Sequence, residues 1–175
     1  VLSYVAVATE RFLSRLSTVI VTVSENVRRE LITHRIAPAK QIHVLPLGLD
    51  LDVFENCTAN RGEFRSELNI GATVPLVGTI GRLVPIKNQQ LFLRAASRLV
   101  AAGFKGRFVV VGGGELAGKL QQLVLELGIA DHTVFTGWRR DLGKIYADLD
   151  VLVNTANNEG TPVALIEAMA ARVPV

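Results

Sequence analysis

The sequence predicts an α/β fold, a parallel sheet with helices packed on both of its faces. Three observations predict it. Short apolar, β-branched runs alternate with segments of helical periodicity along nearly the whole chain. The apolar runs are continuous, which marks strands buried on both sides. Of the 175 residues 49% are hydrophobic and 20% charged, with a mean hydropathy of +0.34. That suffices for one full core, or for one domain and part of another.

Residues 1–16 carry Val5, Phe12, Leu13 and Leu16 at roughly helical spacing. Residues 18–23 are β-branched and strand-like. Ser24 suits the cap of a helix over 25–34 that opens with Glu25. A second strand over 42–45 runs into Pro46-Leu47-Gly48, and 49–60 shows so little periodicity that it reads as a linker. A new series follows: a helix over 61–68, a buried strand over 76–80, and a helix over 88–101 with Leu91, Ala95 and Leu99 on one stripe. A strand over 107–111 ends in Gly112-Gly113-Gly114, a helix over 115–127 stops at Gly128, and a strand over 133–136 ends at Gly137. A short helix over 141–148 and a strand over 151–154 precede the last helix, which runs to about 171. Thr161 suits its N-cap and Pro162 its first helical position. The chain opens inside a helix and stops as a strand starts at 173, so both ends are expected to be cuts through a larger protein.

Composition narrows the function. A net charge of +3 and a pI near 9.4, spread without a run of five like charges, do not argue for nucleic acid. They suit a diphosphate ligand or an anionic membrane surface. The single Cys57 allows no internal disulfide, in keeping with a reducing compartment. The three histidines and Cys57 have no metal-ligand spacing. No apolar stretch is long enough to span a membrane, and the opening run lacks the basic leader of a secretory signal. The expected location is cytoplasmic, with peripheral contact at the inner face of the membrane compatible with the charge.

In parallel α/β sheets ligands bind beyond the carboxyl ends of the strands, and three candidate sites lie there. The first is Gly81-Arg82, with Lys87 at the start of the next helix. A planar fork and a point charge suit phosphate; taken alone they also read as two solvated cations. The second is Gly112-Gly113-Gly114-Glu115. It is either a close backbone approach to a ligand or a plain tight turn. It lacks the third glycine offset of the dinucleotide fingerprint. The third joins Glu159, Gly160 and Thr161 to Glu167, the only charged residue between Gly160 and Ala171. A carboxylate isolated on a small-residue helix face can accept ribose hydroxyls in a crevice, or can simply face water.

Glu159 and Glu167, with Gly160-Thr161-Pro162 between them, resemble the paired glutamates of retaining glycosyltransferases of the GT-B fold, family four. Further motifs match in order: Pro46-Leu47-Gly48-Leu49-Asp50 at the passage between domains, Gly81-Arg82 with Lys87, Val111 to Glu115, and Phe135-Thr136-Gly137. The resemblance implies a Rossmann-like domain, the C-terminal half of a GT-B fold, truncated. Residues 1–48 would be the tail of the acceptor-side domain and 49–175 an incomplete donor-binding domain. By position, Arg82 and Lys87 would bind the donor diphosphate and stabilise the leaving charge, with no metal required. Glu159 would lie by the transferred sugar and act in catalysis with Arg82 and Lys87. Glu167 would hold the ribose, and Gly160 and Thr161 would offer backbone amides. Gly81, Gly113 and Gly114 would line the donor, and the backbone at Trp138 and Arg139 would meet the base.

The implied reaction is sugar transfer from a nucleotide sugar, a UDP-sugar first among them, with retained anomeric configuration. The acceptor, a sugar, lipid or other molecule, would be held by the missing domain, so this piece should bind donor without turning it over; apolar surface meant for the missing parts should make it self-associate, or order only as part of a larger body. Leu47, Thr161 and Arg172 depart from the common family pattern, and none of His34, His43 or His132 matches the family's acceptor-side histidine. Two other readings share parts of the pattern: a dinucleotide-binding oxidoreductase domain, and a non-catalytic nucleotide-sugar-binding module.

Overall fold

The computed structural model describes residues 4–175, and the chain divides into two compact units, Val1–Leu49 and Asp50–Val175. The first three residues of the expected opening helix lie outside the described residues. In the first unit, helix α1 (Tyr4–Leu16), strand β1 (Ile20–Thr22), helix α2 (Glu25–Thr33) and strand β2 (Ile42–Val44) follow one another. The two strands pair in parallel, Ile20 opposite Ile42. Ser24 caps α2, its Oγ accepting the Val27 N–H at 3.3 Å. Helix α1 is tied to the turn after α2 through Ser14, buried, whose Oγ donates to the Ile36 carbonyl.

The second unit opens with a correction. Residues 49–60 are not a linker: they form a short helix α3 (Asp52–Glu55) and a 3₁₀ turn (Cys57–Asn60). Phe54 and Cys57 are buried in the core, three residues apart on one side of the turn. Two apolar contacts in four residues are too short a pattern to register as periodicity. Helix α4 (Glu63–Glu67) comes next. Its opening N–H groups are met by Asp148, whose Oδ1 accepts from Gly62 N at 2.6 Å and whose Oδ2 accepts from Arg65 N at 2.9 Å.

The remaining elements alternate: β3 (Leu76–Ile80), α5 (Gln89–Ala101), β4 (Arg107–Val111), α6 (Ala117–Glu126), β5 (Thr133–Gly137), α7 (Leu142–Asp148), β6 (Val151–Leu152) and α8 (Val163–Ala170). Their four strands form one wholly parallel sheet in the order β5-β4-β3-β6. Strand β4 shows why helices cover both faces. Val109 and Val111 point into a core with Phe54, Phe64, Tyr146 and Ala168. Phe108 and Val110 point into the opposite core with Phe92, Leu93, Leu120 and Val124.

This order sets the place of the site. From β3 the chain builds outward to β5, then returns to the other side of β3 as β6. The crossovers diverge between β3 and β6, which opens a crevice beyond their carboxyl ends.

Several boundaries move by a residue or two. Strand β6 stops before 154, because Asn154 Oδ1 accepts the Ala156 N–H at 3.0 Å and turns the chain. Glu115 stays outside α6, which starts at Ala117. Helix α8 starts at Val163, so Thr161 is not its N-cap and Pro162 is not its first helical residue. Pro162, at φ −81° and ψ 74°, makes an inverse γ-turn in which Val163 N donates to the Thr161 carbonyl at 3.0 Å. Beyond α8, Leu152 N donates to the Pro174 carbonyl at 2.9 Å, so residues 173–175 run beside β6.

Candidate functional site

A cavity of about 320 Å³ lies at the crevice. The end of β3 supplies Ile80, Gly81 and Arg82, and a 3₁₀ turn (Pro85–Lys87) supplies Lys87. Trp138 and Arg139 follow β5, Leu142 opens α7, and Thr161, Val163, Ala164 and Glu167 come from the start and face of α8. Seven of the expected residues therefore share one wall: Gly81, Arg82, Lys87, Trp138, Arg139, Thr161 and Glu167. Gly113, Gly114, Glu159 and Gly160 are not on it; of the glycine turn, Gly112 is. A wider recess of about 450 Å³ in the first unit is lined by Arg11, Arg15 and Arg35, and holds none of the expected residues.

The two glycine-bearing loops are stitched together by backbone. Gly81 N donates to the Val111 carbonyl at 3.0 Å, Leu83 N to Gly113 at 2.9 Å, and Leu116 N to Leu83 at 3.0 Å. So close an approach leaves no room for a Cβ at Gly112 or Gly114. This fixes the Arg82 loop. Gln89, buried at the start of α5, adds a hydrogen bond from Nε2 to the Arg82 carbonyl at 2.9 Å.

Lys87 and Glu159 meet across the crevice. Lys87 Nζ donates to Glu159 Oε1 at 2.7 Å, with side chains 27% and 14% exposed, so the pair is only partly screened by water. Asn154 Nδ2 donates to the same oxygen at 3.1 Å.

Glu167, half-buried, lines the cavity. Burial pushes its carboxyl above the ordinary glutamate value, and the Tyr146 hydroxyl, 2.9 Å from Oε2, pulls partly back. The Tyr146 proton is shared with the Ala164 carbonyl at 3.1 Å. Burial first, then the Glu167 charge, raise the phenol well above its usual range. Phe54 packs edge-on against Tyr146, centroids 5.4 Å apart. The segment expected to be a linker thus supports the residue that holds Glu167.

Arg139 has its charge committed elsewhere. It grips Asp141 at 2.8 Å and 2.7 Å and also binds Glu67, over the Phe64 ring. These hydrogen bonds hold the Asp141 carboxyl down at about 2 and lower Glu67 as well. Arg139 still lines the cavity beside Trp138, which is 69% exposed.

The family model for glycosyl transferases group 1 matches residues 60–175, most of the chain. This chain belongs to the group 1 glycosyl transferases. It is 32% identical over 165 residues to a Mycobacterium tuberculosis GDP-mannose-dependent alpha-(1-6)-phosphatidylinositol monomannoside mannosyltransferase. That match covers 89% of this chain and 43% of the relative. It is 30% identical over 138 residues to an Escherichia coli UDP-Gal:alpha-D-GlcNAc-diphosphoundecaprenol alpha-1,3-galactosyltransferase, covering 77% of this chain and 35% of the relative. The chain thus spans less than half the length of either. Its fold matches Anabaena Alr3699/HepE, solved in complex with UDP and glucose, with a TM-score of 0.85 at 20% identity over 97% of this chain and 47% of that one. As a group 1 glycosyl transferase it has the Rossmann-like α/β architecture expected, with helices on both sides of a parallel sheet. Among the described residues no helix is long and apolar enough to cross a membrane.

Tyr146, Asn154, Gln89 and Phe54 escaped the sequence reading of this group 1 glycosyl transferase. Phe54 acts only through Tyr146, far off in sequence; Gln89 and Asn154 act through Arg82 and Glu159, close in sequence but reached only once the loops fold back; and Tyr146 reads as an ordinary core aromatic on a short helix. Its role gives a direct prediction. Tyr146→Phe leaves Glu167 without its hydroxyl donor, so donor binding should weaken by about 0.5–1.5 kcal/mol, with the fold intact. Calorimetric titration with a nucleoside diphosphate checks it.

Proposed function

We propose that the chain is the donor-binding part of a retaining glycosyltransferase that takes its sugar from a nucleotide sugar. The observation that carries this reading is one cavity lined by both the Arg82 and Lys87 cations and the Glu167 carboxylate. Arg82 and Lys87 offer a fork and a point charge to a diphosphate. Glu167, on the α8 face, offers an acceptor to ribose hydroxyls. The neutral wall formed by Trp138 and the backbone at Arg139 receives the base. Glu159, fixed against Lys87, lies on the sugar side. Charge on the departing diphosphate would be met by Arg82 and Lys87 without a metal.

The relatives' names support a nucleotide-sugar donor, one GDP-linked and one UDP-linked, and UDP was bound in the Anabaena protein. We take a UDP-sugar as the first candidate. The acceptor site is assigned to the part of the protein matched by the remainder of these relatives, so the chain by itself should bind donor without turnover. Peripheral contact with an anionic membrane is assigned to residues 1–49, which hold 6 basic and 3 acidic residues, a net of 6 − 3 = +3. Residues 50–175 hold 13 of each and are neutral.

The test is a thermal-shift and calorimetric comparison of UDP-, GDP- and ADP-sugars on the full-length protein, followed by NMR assignment of the product anomer. An inverted product would remove the retaining assignment. Arg82→Ala should weaken nucleoside diphosphate binding by about 1.5–3 kcal/mol and nucleoside binding hardly at all, the range for hydrogen bonds to charged groups. Equal weakening of both ligands would remove Arg82 from the phosphate.

The raised Glu167 carboxyl adds a pH signature. In the free protein its proton is held more tightly folded than unfolded, so this group favours the fold below the ordinary glutamate value. That contribution is lost as pH rises through the raised value. Ribose needs the ionised acceptor, so donor affinity should rise over that same interval above the ordinary glutamate range. In Glu167→Gln the rise should vanish, along with much of the preference for ribose over deoxyribose nucleotides. Titrations across pH with paired ribo- and deoxyribonucleotides read both effects.

A further inference from the structure

We propose that Asn154 is the positioning residue for Glu159, an inference that rests on the donor-site reading above and extends it to the transferred sugar. Asn154 lies just past the end of β6, and its amide has a set direction. Oδ1 accepts the Ala156 N–H at 3.0 Å, which leaves Nδ2 to face Glu159 Oε1 at 3.1 Å. Lys87 Nζ reaches the same Oε1 at 2.7 Å. With both donors on Oε1, Oε2 is the oxygen through which a sugar hydroxyl is read.

The two donors differ in what a diphosphate does to them. Lys87 is a point charge on a flexible stem, and it also lines the cavity where phosphate would lie. An entering diphosphate draws the ammonium toward itself and loosens its hold on Glu159. Asn154 is neutral and tied to its own turn, so phosphate does not attract it. The backbone around it is fixed as well. Thr155 Oγ1 donates to the Asn88 carbonyl at 3.0 Å, Asn157 N to Ile86 at 2.9 Å, and Asn88 Nδ2 to Asn157 Oδ1 at 3.1 Å. Glu159 therefore keeps one donor in place whether or not the diphosphate is bound. In the loaded site the sugar meets a carboxylate held by Asn154.

Two variants of the full-length protein separate positioning from mere turn formation. Asn154→Asp keeps an acceptor for the Ala156 N–H and loses the donor to Glu159; Asn154→Ala loses both. Each is titrated with UDP and UDP-glucose, and with GDP and GDP-mannose, and its melting temperature is recorded. Asn154→Asp sets a second carboxylate beside Glu159, so it should melt at or somewhat below the unaltered protein, and it should bind bare diphosphate within about twofold. Its affinity for the nucleotide sugar relative to that diphosphate should fall about fivefold or more, the worth of one hydrogen bond. Asn154→Ala should show the same loss in that ratio. If Asp restores the ratio that Ala loses, Asn154 serves only its turn and the inference is overturned. An unchanged ratio in both variants, or equal losses for diphosphate and nucleotide sugar, would also overturn it. Failure of the unaltered protein to bind any of the four ligands would instead remove the donor-site reading, and this inference with it.

Discussion

Replacing Lys87 by alanine is expected to cut turnover of the nucleotide sugar in the full-length protein by about 10²–10³-fold, the cost of losing one preorganised group that meets transition-state charge. Two effects combine. The departing diphosphate loses its point charge, and Glu159, only 14% exposed, loses its countercharge at 2.7 Å. A partly buried carboxylate left with one neutral donor is destabilised, so the sugar side of the site loosens together with the phosphate side. Glu159→Gln should act on one side only. Turnover falls, while binding of the bare diphosphate stays within about twofold, because Lys87 is then free to serve phosphate alone. The double variant decides whether the pair is a unit. Groups in contact are non-additive, so Lys87→Ala with Glu159→Gln should lose less than the product of the single losses. Strict multiplicativity would mean that the ion pair has no part in the reaction. A Lys87→Ala protein with normal turnover would remove Lys87 from the diphosphate.

How much of this was legible in the sequence depends on the distance over which each feature is written. Strand β4 was readable because four consecutive apolar residues, 108–111, specify both of its faces at once. Glu167 was singled out because no other charge lies within its own helix. The Lys87–Glu159 pair joins residues 72 apart, and nothing local reveals it. It follows from strand order, since β6 returns to the free side of β3 and brings its loop against the Lys87 turn. Residues 49–60 failed for the opposite reason. Phe54 and Cys57 were visible as apolar, but two contacts in one turn give no period, and only their shared burial against α7 shows them as core. Arg139 was read for its place in the chain. Its guanidinium turned out to be engaged by Asp141, two residues away, and by Glu67, on a helix whose packing the sequence does not specify.

The glycine turn was read as a place for close approach to a ligand, and the structure points to a sharper division among its members. Gly112→Ala is expected to destabilise the second unit by about 2–6 kcal/mol, a strained backbone conformation adding to an overpacked contact. Gly112 has φ +137°, and a Cβ there would stand 2.0 Å from the Gly81 carbonyl oxygen and 2.9 Å from its carbon. Both are backbone atoms in the loop that carries Arg82, so they cannot yield without moving the site. Gly112 N also donates to the Gly137 carbonyl at 2.9 Å, which ties the same turn to the end of β5. A loss of that size is a large share of an ordinary domain's stability of about 5–15 kcal/mol. Gly113 is the control within the same turn. No atom lies within 4 Å of a Cβ built there, its φ is not positive, and it is not on the cavity wall. Gly113→Ala should therefore stay within about 0.5 kcal/mol of the unaltered protein in stability. Its diphosphate affinity should also hold, because the Gly113 carbonyl that accepts from Leu83 is untouched. Denaturant melts and diphosphate titrations on both variants settle the division. If Gly113→Ala melts normally but binds diphosphate poorly, the ligand does lie against the turn, and Gly113 belongs to the donor site. If Gly112→Ala melts normally, the Gly81 loop is free to move, and the stitching between the two loops does not hold Arg82 in place.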